Sequence, residues 1–332
     1  MTTPFALLPG HDASGNAMSH QVLIYSRFPK AQMLRIGERY DLLDGKGKPP
    51  IETFSAEQLK PIRAMITAGG QAIPPAVLDS LPSLGAIICY GTGYDGVDFA
   101  ETKKRNIAVG HSPAANAASV ADLAVTLMLA TTRRLLPADD YVRSGGWSGA
   151  QPSPSMRPGP GMTGRKVGVY GMGEIGRKIA ARCAAFETDV AYYSRSRHDV
   201  PYAYYPSLEA LAEWADILMV AVRAGADTQH AVNADILKKL GPHGTVVNIS
   251  RGSVIDQNAL VAALKSNAIA GAGLDVYEKE PHAPDALTKL PNVVLTPHIG
   301  GHTIESHIAM QDCVMANLDA FFAGKPLRYP VG

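Results

Sequence analysis

The sequence predicts an α/β protein built on parallel β-sheets, and three observations carry that expectation. Short, continuously apolar runs rich in β-branched residues alternate with helix-forming segments along most of the chain. Their length and continuity suit strands buried on both faces. One of them, Val167-Gly168-Val169-Tyr170, leads into Gly171-Met172-Gly173-Glu174-Ile175-Gly176 and then into Arg177 to Arg182, a proline-free stretch of good helix formers. Strand, glycine turn and helix in that order are what a dinucleotide pyrophosphate requires. The first glycine makes the turn, the second admits backbone N–H groups to the phosphates at the helix N-terminus, and the third lets helix pack on strand.

The chain has 332 residues, enough for two domains with their own cores. Its 46% hydrophobic and 18% charged residues read as a soluble globular protein. The net charge of +1 offers no footing for a polyanion and speaks against nucleic acid as a partner. Cys89, Cys183 and Cys313 are far apart in apolar surroundings, so they read as reduced thiols in a cytoplasmic protein with no metal site. An apolar run of about 18 residues and an export signal are both missing, so no membrane partner is expected. Residues 1–20, with their prolines, glycines and small polar residues, read as a loose leader.

Taken in order, Gln21 to Tyr25 reads as a strand, Ala31 to Tyr40 as a helix and Asp44 to Pro50 as a turn. Ile62 to Thr67 is a strand ending at Ala68-Gly69-Gly70, Pro75 to Ser80 starts a helix, and Gly85 to Tyr90 is a strand before Gly91-Thr92-Gly93-Tyr94-Asp95-Gly96-Val97-Asp98. Ala68-Gly69-Gly70 is a candidate anion nest with bare N–H donors, or an ordinary strand-to-helix turn. Ser119 is a candidate cap for a helix from Val120 to Leu135, with Asp122 near its positive end. That helix is apolar nearly all round, so it is expected to be buried against a neighbouring domain or another subunit. Ser144 to Gly164 is too rich in proline and glycine for regular structure, and its Trp147 needs a cover, from its own domain or elsewhere.

The second series of strands starts at the glycine fingerprint and continues with Val190 to Tyr193, Trp214 to Val222, Gly244 to Ile249, Ala270 to Val276 and Val293 to Leu295. Helices are expected at Asn233 to Leu240 and Gln257 to Asn267. Ser194-Arg195-Ser196-Arg197 follows the second strand, close to the point about 20 residues past the last glycine where an acid grips the ribose of NAD. Two hydroxyls and two guanidiniums suit a 2′-phosphate instead, so NADP(H) is the preferred cofactor, with NAD(H) as the alternative; a solvated basic turn is the plainer reading.

Arg251, Glu280 and His298 each follow a strand end, at the edge where open α/β sheets bind ligands. An arginine can hold a carboxylate bidentately and polarise the neighbouring carbonyl. A histidine can protonate the oxygen as hydride arrives at carbon, with the glutamate stabilising its imidazolium. Singly they also suit a surface ion pair, a helix cap and a buried histidine. Together they describe reduction of a 2-keto acid.

GTGYDGVD at 91–98, GMGEIG at 171–176, NISRGSVID at 248–256, GLDVYEKEP at 273–281 and NVVLTPHIGG at 292–301 occur in this order. Over residues 20 to 330 the chain resembles the D-isomer-specific 2-hydroxyacid dehydrogenases, and Ser194 to Arg197 resembles their NADPH-preferring glyoxylate and hydroxypyruvate reductase branch. The resemblance implies Arg251 as substrate clamp, Glu280 and His298 as the acid/base pair, Asp275 as a contact to the nicotinamide carboxamide, and the Ala68-Gly69-Gly70 backbone as receiver of the substrate carboxylate. It further implies a homodimer in which Trp147 can enter the partner's site. The implied fold is two Rossmann-like or flavodoxin-like doubly wound domains with an active-site cleft between them. Residues 21–113 and 302–332 would bind substrate, and 114–301 would bind the dinucleotide.

The expected reaction is NADPH-dependent reduction of a small 2-keto acid to the D-2-hydroxy acid, with pocket walls from Tyr94 and Trp147. A bulkier substrate, such as hydroxyphenylpyruvate or a sugar-derived keto acid, stays open, as does a dinucleotide-sensing corepressor of the same fold. Arg223 departs from the small or proline-containing turn usual in related sequences. It either reaches the cofactor's ribose and phosphate side or points to solvent.

Overall fold

A computed structural model describes residues 20–148 and 159–331. They divide into two compact units: one holds the residues up to Tyr90 with Gly96–His111 and everything from Val314 onward, the other Gly91–Asp95 and Ser112–Cys313. Both are layered α/β structures with fully parallel sheets, as the alternation of strands and helices predicts.

The first unit contains β1 (Gln21–Ile24), α1 (Lys30–Gly37), β2 (Asp41–Asp44), α2 (Ala56–Leu59), β3 (Ala64–Thr67), α3 (Pro75–Asp79), β4 (Ala86–Cys89), α4 (Phe99–Lys104) and β5 (Ala108–Gly110). The strand order β2-β1-β3-β4-β5 is that of a flavodoxin-like sheet. Met65, Ile66, Ile87 and Ile88 are wholly buried in the central strands, which is why β3 and β4 are legible as apolar runs. The edge strands β2 and β5 are not anticipated by the sequence. Asp41-Leu42-Leu43-Asp44 carries charges at both ends and β5 has only three residues, so neither shows a buried-strand pattern. The C-terminal segment closes on β5: Asn317 donates to the carbonyl of His111 and accepts from the N–H of Tyr329, while Pro330 bridges Gly110.

The second unit contains α5 (Ala117–Thr132), α6 (Leu135–Arg143), β6 (Lys166–Tyr170), α7 (Glu174–Ala184), β7 (Asp189–Tyr193), β8 (Ala203–Tyr204), α8 (Leu208–Trp214), β9 (Ile217–Val220), α9 (Ala234–Leu240), β10 (Thr245–Asn248), α10 (Gln257–Lys265), β11 (Gly271–Leu274), α11 (Asp285–Thr288) and β12 (Val293–Leu295). It also holds the first half of α12 (Ile304–Phe322), the helix in which the division falls. The sheet order β8-β7-β6-β9-β10-β11-β12 is doubly wound, reversing between β6 and β9.

Alternate residues of the strands feed two separate cores. Leu218, Val220, Val246 and Ala272 pack with Leu211, Ile236, Leu237 and Leu260 beneath α8, α9 and α10. Val167, Val169, Ile217, Met219 and Val247 pack with Ala124, Leu127, Met128, Ile179 and Cys183 beneath α5 and α7. Burial pushes the Cys183 thiol up to about 12 and keeps it uncharged.

Four expectations need correction. The long helix starts at Ala117, so Ser119 lies inside it rather than capping it; its hydroxyl bonds those of Thr303 and Ser306 instead. Asp122 pairs with Arg182 of α7 at 2.6 Å, away from the helix end. The apolar face of that helix covers the sheet of its own unit, with Gly273 of β11 making room for Leu127. A left-handed Arg134 (φ 50°) ends this run and starts α6. Trp214 closes α8 rather than opening the following strand. Among the described residues no helix is long and apolar enough to cross a membrane.

Leu211 is fully buried and fills the space that Gly168 leaves open in β6. Leu211→Ala is expected to lower the unfolding free energy by about 2–5 kcal/mol, measured by urea denaturation followed by circular dichroism.

Candidate functional site

The glycine fingerprint has the geometry of a phosphate cradle. Gly171 has φ +100°, and a Cβ there would lie 2.7 Å from the Val222 backbone. A Cβ at Gly176 would lie 1.9 Å from the carbonyl oxygen of Gly171, so α7 can approach β6 only with glycine at that position. Gly173 has open space around it and precedes Glu174 at the start of α7, with no side chain capping the helix. The N–H groups of the first turn therefore face outward without a capping acceptor, as anion binding requires. Met172 contributes backbone alone, since its side chain is 1% exposed in the core, and Ile175 leans on the same core. These residues fit a bound dinucleotide.

Ser194, Arg195, Ser196 and Arg197 turn away from the end of β7, with Arg195, Ser196 and Arg197 exposed. The Ser194 hydroxyl donates to the carbonyl of Ser196 at 2.7 Å, which holds the turn and leaves the guanidiniums at the surface. No carboxylate stands in this turn to repel a 2′-phosphate.

Beyond β10 the chain is held by one buried amide. Asn248 Oδ1 accepts from the N–H and hydroxyl of Ser250, and its Nδ2 donates to the carbonyl of Arg251. Gly252 then runs directly over the next loop, where a Cβ would lie 1.9 Å from the Tyr277 carbonyl carbon. Arg251 is thereby set beside the loop that carries Glu280. Its guanidinium donates through Nε (2.8 Å) and Nη2 (2.7 Å) to Asp95 Oδ2 and through Nη1 to the Ser250 carbonyl (2.8 Å). A guanidinium has five N–H donors, so two stay available for a second carboxylate. Asp95 stands in the GTGYDGVD motif, but its pairing with a residue 156 positions away has no signal in the sequence.

Asp275 sits at the end of β11 and is 1% exposed. Its carboxylate accepts from Thr296 Oγ1 (2.6 Å) and from the N–H groups of Ile299 and Gly300 (2.8 Å each), while its carbonyl accepts from the N–H of His298. The loop bearing His298 is thus tied at four points to one residue, and His298 adopts φ 54° within it. Three of about four acceptor positions on the Asp275 carboxylate are taken, so its first task is to hold this loop.

His298 Nδ1 lies 2.6 Å from Glu280 Oε2, and the Tyr277 N–H donates to Glu280 Oε1 at 3.1 Å. Burial works to raise the Glu280 pKa, but the hydrogen bond and charge of His298, the Tyr277 N–H and the Arg251 charge together outweigh it and hold the carboxyl below its usual value. The pair is an ionised carboxylate on one ring nitrogen, with the other nitrogen without a hydrogen-bond partner among the described residues. Tyr277, pushed up to about 12 by burial and by Asp275 and Glu280, stays a neutral hydroxyl that donates to the Thr296 carbonyl.

In the other unit, Ala68-Gly69-Gly70 differs from a nest of bare donors. The Ala68 N–H donates to Ser26 Oγ at 2.7 Å and the Gly70 N–H folds back to the Ala68 carbonyl at 2.9 Å. Gly69, at φ +72°, keeps its N–H without an acceptor among the described residues. Trp147 is 62% exposed at the end of α6. The stretch from 149 to 158 lies outside the described residues.

A protein-family model for the NAD binding domain of D-isomer specific 2-hydroxyacid dehydrogenases matches residues 125–300, just over half of the chain. The chain belongs to the D-isomer specific 2-hydroxyacid dehydrogenases. It is thus an NAD(P)-dependent oxidoreductase by family, and its second unit carries that family's cofactor-binding sheet. The chain is 37% identical to the hydroxyphenylpyruvate reductase of Plectranthus scutellarioides, over 89% of this chain and 94% of the relative. It is 41% identical to the 2-ketogluconate reductase of Gluconobacter oxydans, over 81% and 86% respectively. The NADPH-dependent glyoxylate/hydroxypyruvate reductase of Sinorhizobium meliloti, solved with NADP and malonate, superposes with a TM-score of 0.86 at 36% identity, covering 94% of this dehydrogenase and 97% of that chain.

The low Glu280 pKa has a consequence for stability. A carboxyl whose pKa is lower folded than unfolded stabilises the fold fully above its unfolded value of about 4.5 and loses that contribution as pH falls through the lower, folded value. Glu280→Gln is therefore expected to be less stable than wild type at pH 6 to 7, with the gap closing on acidification below pH 4.5. Denaturation midpoints of the two proteins across that range check this.

Proposed function

We propose that this dehydrogenase reduces a small 2-keto acid of the glyoxylate or hydroxypyruvate type to the D-2-hydroxy acid, with NADPH preferred over NADH. The observation that carries this reading is the Arg251 fork, held by Asp95 with two donors to spare, beside an ionised Glu280 hydrogen-bonded to His298. When bound, the dinucleotide supplies the hydride that the keto carbon accepts. Arg251 binds the substrate carboxylate end-on and draws charge toward the adjacent carbonyl. His298 gives the proton to the carbonyl oxygen from Nε2, while Glu280 at Nδ1 fixes the ring and stabilises its protonated form. A hydride and a proton together complete the two-electron reduction.

Gly171 to Gly176 would hold the pyrophosphate on the α7 N-terminus. Ser194 to Arg197 would hold the 2′-phosphate, and the preference for NADPH rests on the guanidiniums there and on the NADP-bound relative. The last acceptor position of Asp275 suits a nicotinamide carboxamide. In the substrate domain, which we assign to residues 21–113 and 302–332 with 114–301 as the dinucleotide domain, the Gly69 N–H is the donor left to meet a substrate carboxylate. The exposed Trp147 supports a homodimer in which that ring is covered by, and lines the pocket of, the partner. Reduced Cys89, Cys183 and Cys313 support a cytoplasmic setting.

His298→Ala is expected to lower kcat for glyoxylate by about 10²–10⁴ while the dissociation constant for NADPH moves less than about threefold. Steady-state NADPH oxidation and fluorescence titration measure the two, and near-normal turnover would remove His298 from this role. Arg195→Asp is expected to raise KM for NADPH at least tenfold and to leave KM for NADH nearly unchanged. Equal losses with both cofactors would contradict the 2′-phosphate assignment.

A further inference from the structure

Arg223 takes no part in the reaction described above, yet its position duplicates that of Arg251. Strands β9 and β10 are parallel neighbours in which Val220 pairs with Asn248. Arg223 stands three residues past Val220 and Arg251 three residues past Asn248. Two guanidiniums therefore leave adjacent strand ends, about 4.8 Å apart in the sheet, at the edge where doubly wound sheets bind ligands. They are seated on consecutive residues of one loop. Asp95 takes Arg251, and the ring of Tyr94 takes Arg223, whose guanidinium carbon lies 4.5 Å from the ring centroid.

The two seats differ in kind. Asp95 neutralises Arg251, whereas a ring face holds a cation without neutralising it and leaves the in-plane N–H donors pointing outward. Among the described residues no carboxylate pairs with Arg223, and the arginine is exposed. Arg251 has carboxylates beside it in Asp95 and in the nearby Glu280, whereas Arg223 has only the ring of Tyr94 among the described residues, so its charge is the one an incoming anion would meet. Val222 packs its backbone over Gly171, so the loop holding Arg223 is itself fixed by the fingerprint glycine and is not a loose surface turn.

We propose that Arg223 is a substrate-specificity residue that binds a second anionic group, carried by the substrate beyond its 2-keto acid. The ligand class is the 2-keto dicarboxylates. Arg251 holds the carboxylate next to the reacting carbonyl, and Arg223, stacked on Tyr94, holds the distal carboxylate through its planar fork. This rests on the role of Arg251 in the proposed function and goes further by naming the substrate class.

The test compares glyoxylate, which has no distal group, with oxaloacetate, which has a second carboxylate, in the wild-type enzyme and in Arg223→Ala and Arg223→Lys. Oxaloacetate is expected to be a substrate of the wild type. In Arg223→Ala the ratio of kcat/KM for oxaloacetate to that for glyoxylate should fall at least tenfold, through KM for oxaloacetate rather than kcat, and Arg223→Lys should restore part of it. Calorimetric titration with malonate and with oxamate, both with NADPH present, reads the same contact without turnover. Malonate should lose at least tenfold in affinity in Arg223→Ala, and oxamate should lose much less. Parallel losses for mono- and dicarboxylates, a change confined to KM for NADPH, or a wild type that reduces glyoxylate and leaves oxaloacetate untouched would each overturn the proposal. A wild type that reduces neither keto acid would instead count against the proposed function, and the malonate titration would still decide the role of Arg223.

Discussion

The contact of Gly252 with the Tyr277 backbone is the constraint on which the site depends. The chain leaving β10 crosses the chain leaving β11 so closely that a single methyl group would overlap the Tyr277 carbonyl. Parallel strands bring two loops to the same edge of the sheet, but they do not set which side chains meet there. That is decided by the closeness of this crossing, with Asn248 pinning the turn before it and the Tyr277 N–H reaching Glu280 just after it. Arg251 then lies near enough to Glu280 for its charge to help hold that carboxyl ionised.

A second knot of hydrogen bonds does for β12 what Gly252 does for β10. Asp275 gathers Thr296, His298, Ile299 and Gly300 onto one buried residue, so the histidine is presented by a loop with little freedom to move. The acid/base role proposed for His298 would gain from such preorganisation, because its ring would already be placed when a substrate arrives. Because every strand of this sheet runs parallel, the glycine cradle after β6 and these loops leave the same edge of it. The Val222 backbone lying on Gly171 ties the cradle to the loop after β9, and so to Arg223.

The central strands of both sheets were legible because burial on both faces makes them continuously apolar, as Ala86-Ile87-Ile88-Cys89 and Ile217-Leu218-Met219-Val220 show. The edge strands β2, β5 and β8 were not, since a short edge strand is half solvated and carries no such run. The fingerprint, Arg251, Glu280 and His298 were readable as motifs at strand ends. Their supports were not, because the partners lie far apart in sequence: Asp95 grips Arg251 across 156 positions, and Ser119 spends its hydroxyl on Thr303 and Ser306 instead of a helix end. The Ala68-Gly69-Gly70 turn shows the same limit. A glycine-rich sequence indicates that donors can point outward, but only the fold shows that Ser26 has taken the Ala68 N–H.

If the Gly252 crossing sets the site, then its disturbance should separate cofactor binding from turnover. The most direct measurement is kcat/KM for glyoxylate in Gly252→Ala, with NADPH affinity measured by calorimetry on the same preparation. The expected result is a loss of at least a hundredfold in kcat/KM with NADPH affinity within about threefold of wild type, since the fingerprint lies on a different strand end. A variant that keeps wild-type kcat/KM would contradict the account.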